Sequence, residues 1–366
     1  MLRQNCDIII FVNEGIDILY SIDLASSGYK LSWFSKLKSF THCNTSAESV
    51  KLFCQSVRFM MTKHTLQLKD IEVLTRPHCK IRSPERVEHI INSIINGGPR
   101  QLQIVTDFDF TMTKQKTDEG KPVLSSFGMF NKCKSLPESY LTESKRLYKE
   151  FRPIELCPNM SQEEKKNRMI EWWTRSANLL KGFAFDPNEI DQLASLYTHA
   201  LRDGTQELLK KTNELDVPVL VFSAGLGDSI LAVMKHEQVH FPNVKVVSNF
   251  LQFKDGLLNG FDDGKPLIHT FNKNETALEG TEYYDMVHNR QHIILMGDSL
   301  SDADMAEGVP KTSSILKIGF LFDHPEKNLP KYMDRFDIVL IDDQTMDIPR
   351  AILSLIAKYD DSNGDY

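Results

Sequence analysis

The sequence predicts an α/β fold built on a mainly parallel sheet, with a helical block inserted after one of its strands. Three observations point there. Short, near-continuous apolar runs rich in β-branched residues recur, the pattern of strands buried on both faces. Several of these runs are separated by segments of helical periodicity, which is the alternation of parallel crossover units. The long segment between the first two runs, in contrast, reads as helical throughout.

Residues 1–70 have weak periodicity and scattered aromatics, and form an extension of unknown role. Their longest apolar run, "DIIIFV", is far short of the about 20 residues that span a bilayer, and Glu14, Asp17 and Asp23 follow it. Nor is there the basic start, apolar middle and small-residue cleavage site of a secretory signal, so a cytoplasmic protein without membrane contact is expected. The first strong element is "SPERVEHIINSIINGG". Ser83 is placed to cap a helix, Pro84 suits its first position, Val87, Ile90, Ile91, Ile94 and Ile95 repeat at helical spacing, and Gly97 and Gly98 end it. It leads into "LQIVTDFD", the first buried strand. The others are "VPVLVFSAG" from Val217, "VKVVSN" from Val244, "HIILMGDS" from His292, "ILKIGF" from Ile315 and "FDIVLIDD" from Phe336. Within the inserted block, "SQEEKKNRMIEWWTRSANLL" opens on a capping box of Ser161 and Glu164 and lines up Met169, Trp172, Trp173, Ser176 and Leu180 on one side. Such a block would overhang the strand tips as a lid. The tail "DDSNGDY" reads as frayed. The expected division is an extension at 1–70, a core from 71–112 and 205–366, and a helical cap at 113–204.

At 366 residues the chain is long enough for a core plus an inserted subdomain, taking about 150 residues per domain. A net charge of -7 with mixed signs gives no basic field, which argues against long nucleic acid while leaving room for a small anion. The six cysteines (Cys6, Cys43, Cys54, Cys79, Cys133, Cys157) contain no CxxC pair, which argues against structural zinc and for a reducing compartment. A monomer is expected.

Ligands of parallel sheets bind at the carboxyl ends of the strands, and polar residues stand at those ends. "DFDFT" sets Asp107, Asp109 and Thr111 after the first strand. Carboxylates two apart can face one opening, where they repel unless a cation lies between them, and where one can attack while the other carries a proton. Taken singly, they could equally be turn or capping aspartates. "FSAGLGDS" follows a strand with Ser223, Ala224, Gly225 and Gly227, either a phosphate cradle or an ordinary glycine-rich connection. "IHTFNKN" offers Lys273, which alone would read as a solvated charge. "GDSLSDADMAEG" offers Asp298 and Asp302, hard oxygen ligands of the kind Mg²⁺ takes. Four strand ends supplying paired acid, hydroxyl, lysine and paired acid in that order make coincidence a poor explanation.

With these four motifs the sequence resembles the haloacid dehalogenase superfamily of phosphotransferases. More narrowly it resembles the cytosolic 5'-nucleotidase III family, pyrimidine and 7-methylguanosine monophosphate nucleotidases, through "LQIVTDFDFT", "EEKKNRMIEWWTRS", "FSAGLGDS", "PNVKVVSNF", "IHTFNKN", "ILMGDSLSDADMAEGV" and "YMDRFDIVL". The resemblance implies a Rossmann-like core with an inserted helical cap and Mg²⁺-dependent hydrolysis of nucleoside 5'-monophosphates. It implies Asp107 as the nucleophile that becomes an aspartyl phosphate, and Asp109 as acid and then base. It implies Mg²⁺ held by Asp107, the Asp109 carbonyl and Asp298, with Asp302 in support. Thr111, Ser223, Ala224 and Lys273 would bind phosphate, Glu155 would read the base edge, and Ser176 would line the pocket. Trp172, on the same helix face as Ser176, is either a stacking platform for the base or cap core. Phe110 and Met112 depart from the apolar residues common beside the pair, as do Ser301, where glycine is frequent, and Asn274, where histidine is frequent; none removes a catalytic group. Two other readings stay open: a phosphatase or phosphotransferase acting on another small phosphoester, and a non-catalytic nucleotide-binding protein.

Overall fold

The computed structural model describes residues 7–12, 16–21, 66–157, 159–197, 199–264, 266–274, 278, 282–287, 289–306 and 314–364. Residues 1–62 form a unit of their own. In it β1 (Asp7–Val12) and β2 (Ile16–Ser21) pair antiparallel, with Asp7 opposite Ser21 and Val12 opposite Ile16.

The second unit, residues 63–366, is organised by a seven-stranded sheet. Its strands are β3 (Cys79–Ile81), β4 (Leu102–Thr106), β6 (Val219–Leu226), β7 (Val244–Asn249), β10 (His292–Gly297), β11 (Ser314–Leu321) and β12 (Ile338–Ile341), and β5 (Lys181–Ala184), β8 (Leu251–Lys254) and β9 (Leu257–Phe261) make a smaller sheet. The order is β3-β12-β11-β10-β4-β6-β7, parallel throughout except for the edge strand β3. This is the mainly parallel α/β sheet the sequence predicts.

Both faces are buried because successive side chains of a strand point to opposite sides. Ile104 and Ile294 belong to one apolar cluster, and Val105, Ile293 and Leu295 to the other. The first cluster is closed by α1 (Pro84–Gly97), through Val87, Ile90, Ile91, Ile94 and Ile95. Four further helices join it: α2 (Ser126–Phe130), α5 (Asn188–Leu196), α6 (Thr205–Glu214) and α7 (Gly227–His236). The second is covered by α8 (Glu282–Val287) and α9 (Pro325–Arg335). The last helix, α10 (Asp347–Gly364), returns to the first face through Ile348, Ile352, Leu353 and Ile356.

Between β4 and β6 the helices α3 (Glu138–Glu155) and α4 (Gln162–Leu179) have a small core of their own: Leu147, Phe151, Met169 and Trp173. The capping box of α4 is present, with Ser161 Oγ accepting from Glu164 N and Glu164 Oε2 accepting from Ser161 N. Partly buried Ala224, Leu267 and Phe271 pack against this small core, so the helix pair meets the loops at the strand ends.

Three expectations are corrected. The inserted block is not all helical: Lys181–Ala184 is a strand, paired antiparallel with β9. That strand exists only because a hairpin distant in sequence offers it a partner, and β propensity is set by such context. Ser83 occupies the N-cap position of α1 without a side-chain capping bond. The tail is not frayed up to Gly364, since α10 continues that far; a helix anchored by buried residues propagates at little cost.

Ile294 on the central strand β10 is wholly buried. Ile294→Ala is expected to lower unfolding free energy by about 2–5 kcal/mol, read as a reduced urea midpoint at unchanged slope.

Candidate active site

The apolar run of β4 ends at Thr106, and the chain turns at once. Phe108 O accepts hydrogen bonds from the amides of Thr111 (3.3 Å), Met112 (2.9 Å) and Thr113 (3.1 Å). In this turn Phe110 has φ 63°, a left-handed conformation that costs an L-residue roughly 1–2 kcal/mol. Its groups are pinned accordingly. Phe110 N donates to Thr113 Oγ1 (2.7 Å), and Phe110 O accepts from Gln115 Nε2 (2.9 Å) and Arg202 Nη2 (2.7 Å).

Arg202 is almost wholly buried, and no motif marks it. Besides Phe110 O it donates from Nε to Thr111 O (2.6 Å) and from Nη1 to Asp343 O, and its guanidinium lies 3.9 Å from the centroid of the Phe320 ring. Burial lowers its pKa to about 10, opposed by Asp343, Asp298 and Asp342, so the group stays charged at neutral pH. It clamps the acid-bearing turn to the loop after β12.

The strand ends gather the acids. Asp107 N donates to Met296 O on β10 (3.0 Å), aligning the ends of two neighbouring strands. Asp107, Asp298 and Asp302 each offer a carboxylate oxygen within 4.8 Å of the others. Lys273 Nζ reaches Asp107 Oδ1 at 2.8 Å and Asp302 Oδ1 at 2.6 Å, with all three side chains buried. Asp302 Oδ2 accepts from Ser299 N (2.9 Å), and Gly297 is required there because a Cβ would stand 2.2 Å from Asp302 Cβ. Asp298 accepts from Tyr332 Oη (2.5 Å) at its backbone carbonyl, while among the described residues its carboxylate has no ion-pair partner.

Burial pushes the Asp107 carboxyl up to about 7 against the pull of Lys273. Burial, Asp302 and Asp107 push Asp298 well above the usual carboxylate range. Although burial opposes its charge, Lys273 is raised by Asp107 and Asp302 and is an ammonium. Three hard oxygen donors with a single cation among them suit a further hard cation such as Mg²⁺.

Asp109 stands apart from this cluster in its bonding. Its Oδ1 accepts from Ser126 N and its Oδ2 from Ser126 Oγ, both at 2.7 Å. Burial raises its pKa and the two Ser126 bonds oppose the rise. Ser223 is buried and its Oγ accepts from Gly225 N (3.1 Å). Neighbouring Ala224 O accepts from Asn249 Nδ2 (3.1 Å), and Asn249 also holds Ile268 N and O (2.9 and 2.8 Å). One asparagine thereby ties the Ser223 loop to the loop of Lys273. Thr111 is fully buried; its carbonyl is held by Arg202 and its Oγ1 has no hydrogen-bond partner, so its bonding links it to the turn rather than to the carboxylates.

On the inserted helices, Glu155 is buried at the end of α3. Its Oε1 accepts from Thr270 Oγ1 and its Oε2 from Arg152 Nη1, both at 2.5 Å, which joins the helix to the Lys273 loop. Trp172 is half-buried, stacked on Phe151 (centroids 5.8 Å, 11°) and edge-on to Trp173 (4.8 Å, 75°). Trp173 in turn lies 6.5 Å from the ring of His269. Ser176, half-buried, follows one turn after Trp172 on α4. Ser126, Arg202, Asn249, Arg152 and Thr270 are the participants that motif reading missed: the first four are single residues of common type outside the four motifs, and Thr270 lies within "IHTFNKN", where only Lys273 carries a recognisable signal.

A family model described as "Pyrimidine 5'-nucleotidase (UMPH-1)" matches residues 110–357. A Drosophila melanogaster protein named 7-methylguanosine phosphate-specific 5'-nucleotidase is 61% identical over 294 residues, covering 80% of this chain and 92% of the relative. A Homo sapiens protein of the same name is 35% identical over 289 residues, covering 79% and 95%. The crystal structure of cytosolic 5'-nucleotidase IIIB bound to cytidine superimposes with a TM-score of 0.79 at 60% identity, over 81% of this chain and all of that one.

Two outcomes are expected from this geometry. A Cβ at position 225 would lie 2.1 Å from Ser126 Oγ and 2.9 Å from Asp109 Oδ2, so Gly225→Ala should cost about 1–3 kcal/mol of stability and displace Asp109. Urea unfolding and turnover measure the two effects. The buried His269 has its pKa lowered from 6.5 to about 4, chiefly by burial. Between those values the unfolded chain binds more protons, so the contribution of His269 is fully present above pH 6.5 and is lost as pH falls towards 4. His269→Gln should flatten that part of the stability profile, measured by thermal unfolding against pH.

Proposed function

The chain belongs to the pyrimidine 5'-nucleotidase (UMPH-1) family, a family of phosphoric monoester hydrolases, and from that premise we propose a Mg²⁺-dependent route through an aspartyl phosphate, with pyrimidine and 7-methylguanosine 5'-monophosphates as substrates. The observation that carries the proposal is the convergence of Asp107, Asp298, Asp302 and Lys273 at the carboxyl edge of the sheet. The substrate range is supported by the names of the relatives and by the cytidine in the similar crystal structure.

In this mechanism Asp107 attacks phosphorus and the P–O bond to the ribose 5'-oxygen breaks. Asp109 gives its proton to that oxygen, then takes one from the water that hydrolyses the aspartyl phosphate. Asp109 starts the cycle protonated, for which burial is the appropriate environment. Lys273 and the amides about Ser223 and Ala224 offset charge on the phosphoryl oxygens, and Thr111 supports this phosphate-binding side from the turn. Asp107, the Asp109 carbonyl and Asp298 would hold Mg²⁺, with Asp302 in support, and the ion would supply Lewis-acid polarisation of the phosphoryl group.

Residues 113–204 serve as the cap that selects substrate, residues 71–112 and 205–366 as the phosphatase core, and residues 1–70 as an extension. Glu155 and Ser176 line the base pocket. Trp172, with one face on Phe151, supplies an aromatic wall for the base. No described helix is long and apolar enough to cross a membrane, and the similar structure is named cytosolic. Within this proposal the protein works in the cytoplasm, as a monomer.

A phosphate-release panel tests this reading. Nucleoside monophosphates should turn over with Mg²⁺ and fail with EDTA, and sugar phosphates should be poor substrates; equal turnover of both classes would refute it. Asp109→Asn should lose about 10²- to 10⁴-fold in kcat while calorimetry still detects Mg²⁺ binding. Trp172→Ala should raise KM about 5- to 100-fold, and an unchanged KM in a folded variant would assign Trp172 to packing alone.

A further inference from the structure

Among the described residues, Ser126 supplies the hydrogen bonds to the carboxylate of Asp109 and no residue of the four motifs does. It is 5% exposed and begins the short helix α2, which packs into the first apolar cluster through Met129 and Phe130. Both of its polar groups face Asp109: the amide reaches Oδ1 and the hydroxyl Oδ2, each at 2.7 Å. The same hydroxyl accepts from Leu226 N at 3.0 Å, two residues beyond Ala224 in the loop assigned to phosphate. Gly225 leaves room for this arrangement.

A serine hydroxyl has one O–H and two lone pairs. Leu226 N occupies one lone pair, so one donor and one acceptor remain for Asp109. Through them Ser126 can donate to a carboxylate or accept from a carboxylic acid without changing rotamer.

We propose that Ser126 is the positioning residue of the catalytic acid, holding the Asp109 carboxyl in register with the Ser223–Leu226 loop through both halves of the reaction. This rests on the acid and base role given to Asp109 above. In the first half the proton leaves Asp109 for the ester oxygen as the P–O bond breaks and the Asp107–phosphorus bond forms. In the second half a water proton returns to Asp109 as the water oxygen bonds phosphorus and the Asp107 bond breaks. Ser126 exchanges no atom in either step; it fixes where the proton is given and taken.

The experiment compares two leaving groups. Cytidine 5'-monophosphate must lose an alkoxide, which needs the proton, whereas p-nitrophenyl phosphate loses a stable aryloxide. In Ser126→Ala, kcat on cytidine monophosphate should fall about 10- to 100-fold, with KM within about twofold. First-turnover release of p-nitrophenol should keep the wild-type rate, followed by a slow steady state in which Asp109 must activate water. Ser126→Cys, which keeps a weak donor in the same volume, should show the same split with a smaller loss, and covers the case in which Ser126→Ala fails to fold. Equal loss in the first turnover of both substrates, or no loss with either, would overturn the inference. Wild-type protein that turns over neither substrate would instead sink the nucleotidase reading on which it rests.

Discussion

The reactive edge of the sheet depends on one ammonium group. Three carboxylates with oxygens within 4.8 Å of one another repel pairwise by at least about 3 kcal/mol at an effective dielectric of about 20. Lys273, at 2.8 and 2.6 Å from two of them, returns about 6 kcal/mol per contact on the same scale. The sums are of the same order. Lys273 therefore offsets much of the mutual repulsion, while burial first and the neighbouring carboxylates second still raise Asp107 and Asp298. The donor chemistry of such a cluster suits another positive centre.

That balance is maintained by covalently distant pieces. Asn249 joins the Ser223 loop to the Lys273 loop, Glu155 joins the Lys273 loop to the helix pair, and Ser126 joins the acid to the Ser223 loop. Each link is made by hydrogen bonds that reach a loop at the carboxyl end of a strand, from a strand end for Asn249 and from helix ends for Glu155 and Ser126. The aromatic cluster around Phe151 and Trp173 reaches the same loops through Phe271 and Ala224. The contacts that would select a base and the groups that would handle its phosphate share one scaffold.

What was legible in the sequence follows from how each feature is encoded. The sheet strands β4, β6, β10 and β12 are buried on both faces, and β7 and β11 in large part, so their apolar runs stand out in isolation. The short strand Lys181–Ala184 is mostly exposed and pairs with a hairpin distant in sequence, and no local pattern announces it. The four motifs were visible because they pair unusual residues at strand ends. Asp107, Asp298, Asp302 and Lys273 converge as that reading requires. Ser126 and Arg202 were invisible because a serine and an arginine in ordinary company carry no signal until the fold brings them to Asp109 and Phe110. Glu155 was visible only by resemblance, and its bonds to Thr270 and Arg152 were not foreseen.

Arg202 has a wider consequence. Its guanidinium grips the carbonyl oxygens of Phe110, Thr111 and Asp343 while it lies over the ring of Phe320. Two side chains of the turn itself, Thr113 and Gln115, complete the hold, so the backbone path is set from outside and from within. Position 110, whose ring meets Phe322 at 5.8 Å, directly follows Asp109, so the grip that fixes the turn also fixes where that aromatic pair stands beside the acid.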